Sequence, residues 1–142
     1  MIDHVYISVG DVARSRSFYA AALSPIGWTQ FFQYDSKTGP TGVPDLFGLI
    51  DRARDSADVI STTIWLRQRQ PGETGLYIGF VADSPTEVDA AYAAALGAGG
   101  TDDGGAAPRP YFGDGYYAAN VMDFDGNRLE FVNKSWNPKR PA

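Results

Sequence analysis

Val5, Ile7 and Val9 alternate with His4, Tyr6 and Ser8, the two-residue period of a strand with unlike faces. From Val12 the period lengthens: Val12, Ser15, Phe18/Tyr19, Ala22/Leu23 and Ile26 recur at helical spacing, and Asp11 is placed to cap the helix they predict. Three shorter strands are predicted near Thr29–Tyr34, Leu46–Arg52 and Thr62–Arg67. Ile78 to Ala82 then begins the order again. The sequence SPTE at 84–87 has the capping-box pattern with proline at the first helical position, and Gly97, Gly99 and Gly100 end the helix that follows. Strands are predicted once more near Gly100–Asp102, Tyr116–Met122 and Arg128–Asn133, with Asp125-Gly126 as the turn between the last two.

The two halves are in register as well as in order. FYAAAL at 18–23 lies over AYAAAL at 91–96, so that Tyr19 and Tyr92 fix an offset of 73 positions. The same offset carries Gly27 onto Gly100, Asp11 onto Ser84 and His4 onto Tyr77. Agreement of strand, cap, helix and terminal glycine marks an internal duplication, βαβββ twice. The modules are expected at about 1–68 and 76–135, joined by the polar, turn-rich stretch RQPGETG at 69–75 and followed by a short tail. The turn-forming stretches 39–44 and 102–108 read as loops.

Composition narrows the function classes. A chain of 142 residues with 44% apolar and 20% charged residues suits one globular domain. The absence of cysteine removes disulfides, thiolate metal sites and a cysteine nucleophile. A net charge of −5 opposes a phosphate-backbone partner, so no nucleic acid is expected. No apolar run approaches a membrane span and the start lacks a signal-peptide pattern, which points to the cytoplasm and away from a membrane.

Two constellations carry candidate chemistry. Strand alternation sends His4, Tyr77 and Glu130 to the faces opposite Val5, Ile78, Leu129 and Phe131. The second is RPYFGDGYY at 109–117, where the planar fork of Arg109 suits a carboxylate or phosphate and the rings of Tyr111, Tyr116 and Tyr117 offer faces to a planar ligand. Asn120 falls on the strand face of Tyr116, and Trp28, Phe31, Phe32, Tyr34, Phe47 and Trp65 add aromatic surface from the first half, several of them as core. Each has a purely structural reading too: His4 bonded to Glu130, one tyrosine of the pair 116/117 facing each way, Arg109 fixing its loop. Asp123-Phe124-Asp125-Gly126 lacks the later acidic ligands of a calcium loop and is read as a turn.

The duplication, the opening DHVYISVGDVARSRSFY and the segment RPYFGDGYYAANVMDFDGNRLEFVN resemble the vicinal oxygen chelate superfamily of glyoxalases, bleomycin resistance proteins and extradiol dioxygenases. That resemblance implies an α+β fold in which two βαβββ modules form an eight-stranded, incompletely closed barrel around a cleft. It implies a small oxygenated or aromatic molecule as substrate or ligand, and a homodimer. At the family's metal positions, His4 and Glu130 match, while Tyr77 and Trp65 stand at the other two. The resemblance therefore implies a weakly held divalent ion (Ni, Zn, Mn or Fe) on His4 and Glu130, with Glu130 as base or ligand, His4 as ligand or proton carrier, and Tyr77 beside them. Of the enzymes, a glyoxalase-type lyase or isomerase is expected over a ring-cleaving dioxygenase, since oxygen activation needs a firmly held redox metal. The alternative is a metal-free binding protein of the bleomycin-resistance type.

Overall fold

In a computed structural model, which describes residues 2–53 and 62–134, the chain runs β1 (His4–Val9), α1 (Val12–Leu23), β2 (Trp28–Tyr34), β3 (Leu46–Asp51), β4 (Thr63–Gln68), β5 (Tyr77–Val81), α2 (Pro85–Gly97), β6 (Thr101–Pro108), β7 (Tyr116–Met122) and β8 (Arg128–Lys134). The expected end of the second module at 135 and the tail lie outside the described residues. The strands form two four-stranded sheets ordered β1-β4-β3-β2 and β5-β8-β7-β6. Strand order is thus identical in the two halves. In each, the first strand lies parallel to the last and the remaining pairs are antiparallel. The fold is α+β with two modules, and its eight strands make two sheets rather than a closed barrel.

Both helices start as their caps dictate. The Asp11 carboxylate accepts from the Arg14 amide at 3.0 Å, and the Ser84 hydroxyl accepts from the Glu87 amide at 3.2 Å. Glu87 reaches back to accept from the Asp83 amide at 2.7 Å, one residue beyond the usual capping-box donor. Each helix lays its apolar stripe on one face of its own sheet. Phe18, Tyr19, Ala22 and Leu23 of α1 and Val88, Ala91 and Ala95 of α2 join a single buried cluster with Ile7, Val9, Leu49, Leu66, Val121, Leu129 and Phe131. One core therefore serves both modules, and the opposite face of each sheet is left for other uses.

A polar clasp adds to this core. The side chain of the fully buried Asn127 donates to the Ser8 carbonyl at 3.1 Å and to Asp123 at 2.7 Å, and accepts from the Leu76 amide at 3.0 Å. Asp125 accepts from the Gly10 amide at 2.9 Å, and Tyr19 donates to Asp123 at 2.7 Å. Burial, and then the neighbouring Asp123 charge, pushes the Tyr19 phenol well above its usual range, so it remains a neutral donor. The DFDGN segment is indeed a turn, and it ties the second module to the end of β1.

One sequence expectation fails. Residues 102–108, expected as a loop, form most of β6. TDDGGAAP has little intrinsic strand character, but its backbone pairs with β7, with register shifts on both sides of Gly104. Pairing to a strong neighbour overrides local propensity there. The stretch 39–44 is irregular, as expected.

Candidate functional site

Glu130 lies in the middle of β8, only 8% exposed, on the face turned away from α2. Its neighbour across the ladder in β7 is Asn120, and on the β5 side it is Gly79. Glycine at 79 leaves open space beside the carboxylate, with no other group within 4 Å of where a Cβ would stand. The Tyr116 hydroxyl donates to Glu130 Oε1 at 2.5 Å and the Tyr77 hydroxyl to Oε2 at 2.7 Å. Asn120 Nδ2 donates to the Tyr77 oxygen at 2.7 Å, and Asn120 Oδ1 accepts from Arg109 Nη1 at 2.5 Å. The same guanidinium nitrogen stands 4.0 Å from Glu130 Oε1. These five side chains close a network in which both carboxylate oxygens hold phenol donors and the negative charge is balanced by Arg109.

Both phenols stay neutral near pH 7. Partial burial, followed by the hydrogen bond to Glu130, pushes Tyr116 up to about 12 and raises Tyr77 in the same way. A phenolate metal ligand needs a shift in the other direction. Next to the network is a cavity of about 530 Å³ bordered by Gly79, Val81, Tyr116, Glu130 and Lys134.

His4 is elsewhere. It lies on the open face of the other sheet, with Nδ1 2.6 Å from Asp3 Oδ2, beside a second cavity of about 580 Å³ shared with Tyr6, Phe31, Tyr34 and Trp65. Within one chain, the expected convergence of His4 with Tyr77 and Glu130 on one cavity does not occur, because the two modules turn their open faces to different cavities. Trp65 also belongs to the His4 cavity. Tyr117, a candidate ligand contact, points to the helix side, where its hydroxyl donates to Asp89 of α2 at 2.6 Å. Strand alternation explains this, since adjacent residues of β7 face opposite ways. Tyr111 is 74% exposed and meets Phe112 edge-on at 4.6 Å, which in turn leans on Tyr116 at 5.2 Å. It reaches the site only through those rings.

The sequence reading overlooked Asp3 and Tyr6 in the first-module cavity and Gly48 against the ring of Trp65. Gly48 carried a visible signal: a glycine within the apolar strand LFGLI marks a close approach by another group.

The donors around Glu130 do not fit a divalent metal. A guanidinium 4.0 Å from the carboxylate repels a cation, and both carboxylate oxygens already hold phenol hydrogens. Among the described residues, no three His, Asp or Glu side chains are grouped as a metal would need.

Two βαβββ modules in tandem, each with its helix on one face of its own four-stranded sheet, define the class of fold. Residues 1–131 match the family model of the Glyoxalase/Bleomycin resistance protein/Dioxygenase superfamily, and the chain belongs to that superfamily. A glyoxalase/bleomycin resistance protein from Albidiferax ferrireducens is similar at 25% identity, covering 93% of this chain and 97% of its own, with a TM-score of 0.70. TioX from Micromonospora sp. shares the fold at 15% identity, with 94% and 98% of the two chains covered and a TM-score of 0.65. A glyoxalase/bleomycin resistance protein/dioxygenase domain from Frankia sp. does so at 17% identity, with 99% and 94% covered and a TM-score of 0.69. No curated protein matches the sequence. Among the described residues no helix is long and apolar enough to cross a membrane.

Proposed function

We propose that this chain binds a small oxygenated or aromatic molecule without the help of a metal, as a sequestering or carrier protein. The observation that carries the reading is the state of Glu130, whose oxygens accept from Tyr116 at 2.5 Å and Tyr77 at 2.7 Å beside Arg109. Where a metal would need free carboxylate oxygens and nearby imidazole, the chain has phenols, an amide and a cation. With both phenol hydrogens held by Glu130, such a surface offers a ligand the remaining N–H groups of Arg109 and the phenol oxygens as acceptors. Mutual hydrogen bonds keep the members of the network in place before a ligand arrives, which lowers the ordering cost of binding.

The same reading includes a homodimer. His4 and Glu130 border separate cavities on separate sheets, and the open faces expose Tyr6, Phe31, Tyr77 and Val81. A second copy, laying its first sheet opposite the second sheet of this chain, would cover those rings and join the two half-sites into one cleft.

A glyoxalase-type isomerase or lyase is the second reading, favoured by one feature: a buried carboxylate with a guanidinium 4.0 Å away, able to stabilise an enolate oxygen. Glu130 would first have to exchange a tyrosine donor for the substrate proton.

Calorimetric titration with nickel tests the metal-free reading, and proton exchange at a substrate carbon separates binding from isomerisation. The wild type is expected to bind Ni(II) no tighter than about 10 µM, and Tyr77→His, which supplies imidazole beside the carboxylate, to tighten it about tenfold, roughly 1.4 kcal/mol. Submicromolar nickel binding by the wild type would overturn the metal-free reading. Deuterium exchange at a carbon next to a carbonyl, abolished by Glu130→Gln, would favour the isomerase.

A further inference from the structure

In the middle of β3, Gly48 pairs directly with Trp65 of β4. The backbone there needs no glycine, since Gly48 is not among the residues with positive φ. A glycine inside a buried strand weakens it, so the absence of a side chain at this place calls for a physical reason. The indole provides one. A Cβ at Gly48 would stand 2.8–3.0 Å from three atoms of the six-membered ring of Trp65, closer than packed carbon atoms allow. Trp65 therefore lies down across Gly48, and the Thr63 hydroxyl accepts from its Nε1 at 3.2 Å, fixing the ring plane. Phe31 stands edge-on to it at 5.9 Å and 70°, and Tyr34 is tilted at 5.7 Å.

With the indole laid flat, the cavity beside it holds about 580 Å³, within the roughly 300–1,000 Å³ of small-molecule sites. Its polar end consists of Asp3 and His4. Since Nδ1 of His4 faces the Asp3 carboxylate at 2.6 Å, Nε2 is the nitrogen left for a ligand. Among the described residues bordering this cavity there is no lysine or arginine, and Asp3 contributes a negative charge.

We propose that this first-module cavity binds a flat aromatic amine or nitrogen-heterocyclic cation, stacked on Trp65 with its N–H donors at the Asp3–His4 end, and that Gly48 sets its specificity by holding the indole flat. The inference rests on the binding-protein reading above and gives that reading a ligand class. Ring stacking supplies affinity over a large apolar area, and the carboxylate selects cationic or neutral ligands over aromatic acids.

The test uses proflavine, a planar diaminoacridine, followed by its own fluorescence anisotropy, with 2-naphthoate as an anionic competitor. Proflavine should bind the wild type in the presence of EDTA, and 2-naphthoate should not displace it. Trp65→Ala and Gly48→Ala should each weaken binding by about tenfold or more, while Trp65→Phe, which keeps a ring, should recover part of the loss. Tyr117→Phe, on the helix side of the other module, should leave binding within about twofold and serves as the control for dye adsorbed on an acidic surface. Far-UV circular dichroism on each variant separates lost binding from lost folding. No binding to the wild type, equal binding to the folded Gly48→Ala and Trp65→Ala proteins, or displacement by 2-naphthoate would overturn the proposal. None of these readouts involves Glu130 or nickel, so the ligand assignment and the metal-free reading fail separately.

Discussion

Trp65 and Glu130 occupy the same place in the two modules. Trp65 pairs with Tyr6, two residues beyond His4, and Glu130 pairs with Gly79, two residues beyond Tyr77. Each projects from the centre of its last strand onto the open face. One module therefore presents an indole flanked by rings, the other a carboxylate flanked by phenols, an amide and a guanidinium. Duplication kept the backbone and let the two faces diverge, so a cleft made from both would be aromatic on one wall and polar on the other.

Removing one phenol from Glu130 tests whether the network stabilises the fold. Tyr116→Phe leaves Oε1 without its 2.5 Å donor, with Arg109 still 4.0 Å away. An unsatisfied buried acceptor costs about 1–3 kcal/mol, and partial access of water to the open face places the expected loss near the lower end. Urea denaturation of wild type and variant should show a lower midpoint at unchanged slope. Equal midpoints would mean that water replaces Tyr116 at no cost.

The pH dependence follows from the same pair. Tyr116 is pushed up to about 12 by partial burial and then by Glu130, against about 10 for an ordinary tyrosine. Between those values the unfolded chain has released the proton and the folded chain still holds it. The contribution of Tyr116 to stability is therefore complete below pH 10 and is lost as pH rises through 12. Tyrosinate absorbance should show a late step near pH 12 that Tyr116→Phe reduces by one phenol. A variant titrating like the wild type would contradict the assignment.

Much of this was legible in the chain. Alternation in HVYISV, the caps at Asp11 and Ser84 and the paired AAAL segments located both helices and the strands around them, because each element carries its own local signal. The side of β8 on which Glu130 lies also followed from alternation, as did the opposite facing of Tyr116 and Tyr117. By contrast, only the start of β6 was read as strand, near Gly100–Asp102; the rest carries no local signal, since its strand form comes from β7. The separation of His4 from Glu130 was hidden for another reason: residues matched across a repeat need not share a cavity, and the mutual placement of the sheets is set by helix packing and by the Asn127 clasp.

That clasp makes its own prediction. Asn127 is fully buried and bonds Ser8 at the end of β1, Asp123 in its own turn and Leu76 at the entry to β5. Asn127→Ala leaves the Leu76 amide and Ser8 carbonyl without that partner in a place where water is scarce. At about 1–3 kcal/mol for each buried group, the expected cost is about 3 kcal/mol, larger than for Tyr116→Phe. Thermal or urea unfolding measures it, and a loss below about 1 kcal/mol would mean that Arg69, which also donates to the Ser8 carbonyl at 3.1 Å, holds the junction alone.

Val81 tests the proposed dimer. It is 55% exposed on β5, on the same face as Tyr77 and Gly79, while the alternate residue Phe80 is buried in the core. Val81→Lys therefore leaves the core untouched and alters only the open face. If that face meets the first sheet of a second copy, a lysine there must either lose its water or hold the copies apart, and desolvating an unpaired charge costs several kcal/mol. Light scattering coupled to size exclusion should give twice the chain mass for the wild type and the chain mass, 15.4 kDa, for the variant, with unchanged circular dichroism. Tyr6→Lys, at 46% exposure on the opposite half of the expected contact, should act in the same way. A wild type that runs as a monomer would remove the partner copy from the site, leaving each cavity to bind its ligand alone. A dimer indifferent to both lysines would place the interface elsewhere on the molecule.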